Sequence, residues 1–106
     1  MRYLMLLLLG LSLTAQAEPE RLAQGVYLLR GSFEPGRQPD GNSLLLRGTQ
    51  GWVLIDSGRH QAHAEALLDF TAGELVAVIN THWHLDHLGG NALLRQRQPG
   101  LHPRQR

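Results

Sequence analysis

The sequence predicts an α/β (α+β) domain, and three features carry that prediction. Residues 42–47 (NSLLLR) and 52–55 (WVLI) are short apolar runs joined by the tight connection GTQG, which reads as an antiparallel hairpin. Within residues 60–71, Ala64, Leu67, Leu68 and Thr71 fall at i, i+3, i+4 and i+7, the one-sided pattern of an amphipathic helix. Residues 75–80 (LVAVIN) then form a continuous apolar run, which predicts a strand buried on both faces.

The elements follow in order. Residues 1–17 read as a secretory signal peptide: Arg2 supplies a basic start, residues 3–13 an apolar stretch too short to span a bilayer, and Ala15-Gln16-Ala17 a small-x-small cleavage site. The competing reading is an uncleaved anchor or an ordinary apolar helix. With the signal removed, a domain over residues 18–98 and a polar, basic tail over 99–106 are expected. Residues 25–30 (GVYLLR) predict the first strand, and residues 31–41 (GSFEPGRQPDG) a turn-rich loop. After the hairpin, Asp56-Ser57-Gly58 ends a strand and opens the helix. There the Ser57 hydroxyl can cap an orphaned backbone N–H. Gly73 is the expected helix stop. A second helix is expected over residues 91–98, ended by Pro99-Gly100.

Composition excludes some functions. The 106 residues contain no cysteine, so there is neither a disulfide framework nor a thiolate ligand or nucleophile. Removal of Arg2 leaves nine arginines against nine acids, a near-neutral mature chain without the broad positive field that grips nucleic acid. The basic cluster of Arg95, Arg97, Arg104 and Arg106 reads as a solvated or disordered tail. A mature chain of this size hides roughly 60–65% of its unfolded surface, which makes a modest core.

The chemistry concentrates in residues 81–91 (THWHLDHLGGN). His82 and His84 are two apart, so an extended backbone points both to one face. Asp86 continues the alternation. His87 departs from it and must reach in from the turn or from the next helix. Gly89 and Gly90 relieve crowding there. Three imidazoles and a carboxylate suit zinc, and imidazole also suits iron, nickel or copper. His60 and His63, three apart on the first helix, read as an ordinary helix surface. Trp83 reads as packing on the face opposite the ligands, and His102 has no assigned role.

His82-Trp83-His84-Leu85-Asp86-His87 resembles the HxHxDH motif of the metallo-β-lactamase superfamily, metal-dependent hydrolases of four-layer αββα fold. NSLLLRGTQGWVLIDSG looks like that family's N-terminal hairpin and Asp-Ser/Thr-Gly turn, and VINTHWHLDHLGGN like its next strand and ligand loop. The likeness runs from about Gly25 to Arg95. It implies that the chain is the N-terminal half of the αββα sandwich. It implies that His82 and His84 bind a first metal and that Asp86 and His87 bind a second, with zinc the expected ion. A bridging hydroxide would attack an ester, thioester or amide-type carbon, with Asp86 catalytic in orienting it. Asp56 would brace the ligand loop through hydrogen bonds. On residue type alone, Asp56 reads equally as a plain turn residue.

The family's remaining ligands, two histidines and a bridging aspartate, come from later segments that nothing after His87 matches. Two readings therefore stand. One is an exported, periplasmic or secreted metallo-hydrolase acting on a small molecule, with no nucleic acid partner and no stable membrane insertion after signal cleavage. The other is a truncated, inactive zinc-binding fragment, or a half-domain that works only with a partner chain or a second copy of itself. The loss of apolar patterning from Arg95 onward, where a strand should follow, motivates the expectation of truncation.

Overall fold

The computed structural model describes residues 18–98, 100 and 101. The expected signal segment and His102 lie outside the described residues. The strands are β1 (Glu20–Ala23), β2 (Val26–Leu29), β3 (Ser43–Arg47), β4 (Trp52–Ile55) and β5 (Leu75–Ile79). They form one sheet in the order β1-β2-β3-β4-β5. The first three pairings are antiparallel and β4–β5 is parallel. The helices are α1 (Gln61–Thr71), α2 (Leu85–Leu88) and α3 (Asn91–Arg97). A mixed sheet with helices is the α/β architecture that the sequence predicts.

The hairpin forms as expected. Leu44, Leu45 and Leu46 of β3 face Ile55, Leu54 and Val53 of β4, and the Gly48 N–H donates to Gly51 O at 2.8 Å. A parallel partner must be reached by a crossover, and α1 provides it between β4 and β5. The two strands therefore end side by side, and the segments after Ile55 and Ile79 emerge together.

Period-2 alternation sets which residues enter the core. On β3 and β4 the buried side chains are Ser43, Leu45, Trp52 and Leu54. On β5 the buried residues are Leu75 and Val78, three apart. A register shift explains that spacing: Trp52 pairs with Leu75 but Val53 with Ala77, so β5 carries one extra residue. Leu29, Leu45, Leu54, Leu67, Val78 and Leu94 are at most 1% exposed and join sheet, α1 and α3 in one core. Each such burial contributes about 1.5–3 kcal/mol. Tyr27, Trp52 and Phe70 close one end of this core with ring centroids 5.0–5.5 Å apart.

Several expectations are corrected. β5 is not buried on both faces: Val76 and Ile79 are 46% and 43% exposed. Strand β1 was not expected; its four residues are all exposed, so no apolar alternation marks it. Ser57 does not cap α1. The N-cap position is His60, without a side-chain bond, while Asp40 Oδ1 accepts from Arg59 N–H and His60 N–H, each at 2.7 Å. The helix stops at Ala72, whose backbone is left-handed (φ 49°), one residue before Gly73. His63 is not a surface residue; it is 7% exposed. Among the described residues no helix is long and apolar enough to cross a membrane.

Candidate metal centre

The two loops that leave the parallel strands build the site. Asp56 follows β4 directly, and Thr81 and His82 follow β5 after Asn80. Asp56 takes a left-handed backbone (φ 63°), which aspartate tolerates better than most side chains. That turn aims its carboxylate, in a residue only 4% exposed, at the neighbouring loop. Asp56 Oδ1 accepts from Thr81 N–H at 2.8 Å and Oδ2 from the Thr81 hydroxyl at 2.7 Å. Oδ2 also lies 2.8 Å from His87 Nδ1.

These bonds decide which imidazole nitrogens are free. A carboxylate only accepts, so His87 Nδ1 carries a proton and, in the neutral ring, Nε2 keeps its lone pair. The Thr81 hydroxyl spends its single hydrogen on Asp56. Its oxygen must then accept from His82 Nδ1, 2.8 Å away, which leaves His82 Nε2 as a lone pair too. One carboxylate thus sets the tautomer of both rings, His87 directly and His82 through Thr81.

The structure brings His82, His84, Asp86 and His87 together. His84 starts the short helix α2, which carries Asp86 and His87 on its single turn. Ring centroids are 4.7 Å apart for His82 and His84 and 4.0 Å for His82 and His87. Two donor groups have all their ligand atoms within 4.8 Å: His82, His84 and Asp86, and Asp56, His82 and His87. In the second group the Asp56 oxygens are already engaged in hydrogen bonds with Thr81 and His87.

The donor set fits a divalent cation. His87 Nε2 and Asp86 Oδ2 lie 3.3 Å apart. Two ligands on one tetrahedral zinc, with bonds near 2.0–2.1 Å, sit about 3.4 Å apart. His82 and His84 are exposed, while Asp86 and His87 are half-buried.

The loop is anchored from behind. His87 O accepts from Ser57 N–H at 2.8 Å and from Asn80 Nδ2 at 3.1 Å. Asn91 ties these anchors together, donating to Asn80 Oδ1 and accepting from Ser57 Oγ, each at 2.7 Å. Gly90 is needed here because a Cβ would collide with Ser57 O. Trp83, expected to pack away from the ligands, is instead 78% exposed with its ring edge against His84, centroids 4.6 Å apart.

A second polar cluster supports the region and was not foreseen. Ser43 Oγ and His63 Nε2 are 2.7 Å apart in the interior. Asp40, 8% exposed, accepts from Ser32 Oγ at 2.6 Å as well as from the two amides before α1. Burial pushes the Asp40 carboxyl up, but its bonds from Ser32, His60 and Arg59 and the nearby His63 together hold it below its ordinary value. Burial pushes the His63 imidazole down; Asp40 opposes this in part and His60 adds to it.

The model of the metallo-beta-lactamase superfamily matches residues 36–101. The chain is 39% identical over 74 residues to the mitochondrial persulfide dioxygenase ETHE1 of Mus musculus, covering 69% of this chain and 29% of that protein. It is 42% identical over 78 residues to the atrochrysone carboxyl ACP thioesterase of Aspergillus fumigatus, covering 69% and 25%. The chain thus spans less than a third of the length of either relative. Among solved structures it resembles a beta-lactamase domain protein from Burkholderia ambifaria, with a TM-score of 0.64 at 28% identity over 91% of this chain and 33% of that one. It shares its fold with the metallo-beta-lactamase FIM-1 from Pseudomonas aeruginosa in the mono-zinc form, with a TM-score of 0.70 at 20% identity over 86% and 42%. The family match, the two relatives and the fold agree: the chain belongs to the metallo-beta-lactamase superfamily.

Proposed function

We propose that this chain supplies the His82, His84, Asp86 and His87 part of a zinc hydrolase centre that cleaves an ester, thioester or amide-type bond in a small molecule. The observation that carries the reading is the convergence of these donors over Asp56, with the free nitrogens of His82 and His87 set by its hydrogen bonds. A bound divalent cation supplies Lewis acidity and lowers the pKa of water. His82 and His84 would hold one ion, and Asp86 and His87 would contribute to a second. Asp86 would orient the attacking water. The exposed His82 and His84 leave the donors open to a substrate carbonyl. Hydrolysis of an acyl bond is supported by the thioesterase named among the relatives. An exported location, periplasmic or secreted, belongs to the same proposal and rests on residues 1–17; amino-terminal sequencing of the exported protein tests it.

A second reading has its own observation. Shared between two ions, His82, His84, Asp86 and His87 give two ligands to each, and catalytic zinc ordinarily has three protein ligands and an open position. On this reading the chain binds zinc without turnover, or acts with a partner chain that completes the donors. Purified chain with added zinc, assayed on a generic ester, a thioester and a β-lactam beside His84→Ala and Asp86→Ala, separates the two. Turnover lost in both variants supports the hydrolase. Equal inactivity of all three with zinc still bound supports the second reading. Iron in place of zinc in the as-isolated protein would contradict the zinc assignment.

A further inference from the structure

The turn-rich loop 31–41 touches the ligand loop at one point. Gly41 N–H donates to Asp86 O at 2.7 Å. The φ of Gly41 lies outside the left-handed region, so its backbone conformation does not call for glycine. Space does. A Cβ at position 41 would stand 2.8 Å from Asp86 O, 2.8 Å from His87 Cε1 and 2.9 Å from His87 Nε2. Real Cβ atoms are essentially never that close to another heavy atom, so a side chain here forces a shift.

Neither side can yield easily. Asp40, one residue before Gly41, is held by Ser32 Oγ and by the amides of Arg59 and His60. Asn42, one residue after, accepts from Gly31 N–H at 2.8 Å, and Ser43 next to it is fully buried against His63. Across the gap, His87 is fixed by Asp56 at Nδ1 and by Ser57 and Asn80 at its carbonyl. The softest motion left is rotation of the His87 ring, together with displacement of the one-turn helix that carries Asp86.

We infer that Gly41 is a positioning residue for the second metal: its bare Cα leaves room for His87 Nε2, and its N–H sets the height of Asp86. The Asp40 and Ser43–His63 contacts serve to hold Gly41 at that point. This rests on the proposal that Asp86 and His87 bind a metal, and the test separates the two ideas.

Zinc is titrated into the isotopically labelled 106-residue chain while the Gly41 amide and the His87 ring nitrogens are followed by NMR. Gly41→Ala and Gln38→Ala, the latter an exposed position in the same loop, are titrated against a competing chelator, with thermal melts as a fold control. The Gly41 amide and His87 should respond together in the wild type. Gly41→Ala should bind zinc about 10- to 100-fold more weakly, the usual effect of disturbing groups that orient ligands, with Gln38→Ala unchanged. A folded Gly41→Ala protein with wild-type affinity overturns the inference. Should Gly41→Ala fail to fold, a wild-type Gly41 amide that stays still while His87 responds overturns it equally. If His87 itself ignores zinc, the metal proposal fails and this inference falls with it.

Discussion

Asp56 Oδ2 and His87 Nδ1 lie 2.8 Å apart across 31 residues of sequence, and that contact decides which face of the imidazole is left for a metal. Asp56 reaches His82 as well, because Thr81 passes the constraint on. A single buried carboxylate therefore controls two of the four donors.

Asp56→Asn should keep the left-handed turn and lose that control. An asparagine amide presents an N–H on one side, which faces either Thr81 N–H or His87 Nδ1 donor to donor. Relief comes when His87 moves its proton to Nε2, the nitrogen that must bind. Zinc affinity should fall about 10- to 100-fold, as measured by competition with a chromophoric chelator. Equal affinity in the variant would reject this role.

Acid should weaken the fold through His63. Its lowered pKa means that the unfolded chain takes up a proton before the native one does. The contribution is complete above the ordinary value of 6.5 and is lost as pH falls from there through the lowered native value. Asp40, also lowered, adds a second loss that begins near its ordinary 3.8. Urea midpoints between pH 8 and pH 5 should drop more steeply for wild type than for His63→Gln. Parallel curves would show that His63 does not carry the effect.

Leu67→Ala removes a fully buried side chain from the seam between α1 and the sheet. The expected destabilisation is about 2–5 kcal/mol, a large share of the roughly 5–15 kcal/mol typical of a domain. Denaturant unfolding monitored by circular dichroism reads it directly, and a loss well under 1 kcal/mol would show that the core can close over the gap.

Zinc should stabilise the chain if it binds the native donors and not the unfolded ones. At a hundredfold excess over Kd the gain is about 2.7 kcal/mol. The melting temperature should rise with zinc and return on chelation, and His84→Ala should show a smaller rise. A midpoint indifferent to zinc would count against binding by the folded chain.

Much of this architecture was legible because local pattern and tertiary environment agree. The GTQG hairpin, the Ala64–Leu67 stripe and the crowded imidazoles each announce themselves within a few residues. The misses have physical causes. Strand β1 is fully exposed and exists because its backbone completes β2, so no side-chain period reveals it. The bulge in β5 replaces alternation by a three-residue step, and an apolar sequence gives no sign that Val76 and Ile79 are exposed. Asp40, Ser43 and His63 meet from a loop, a strand and a helix, and their contacts span 20 residues or nearly so. Nothing in the sequence singles out Thr81, because its task shows only once Asp56 stands beside it.

The parallel pairing of β4 and β5 also imposes a time order. The β1–β2 and β3–β4 pairings close over short turns. Asp56 and Thr81, 25 residues apart, are expected to meet late, once α1 has crossed the sheet and β5 has docked. Contacts between distant residues form late, because the loop-closing entropy comes first. On that expectation the donor cluster forms after the rate-limiting barrier. Zinc should then leave the refolding rate nearly unchanged and slow unfolding, an asymmetry that stopped-flow traces with and without the metal would expose.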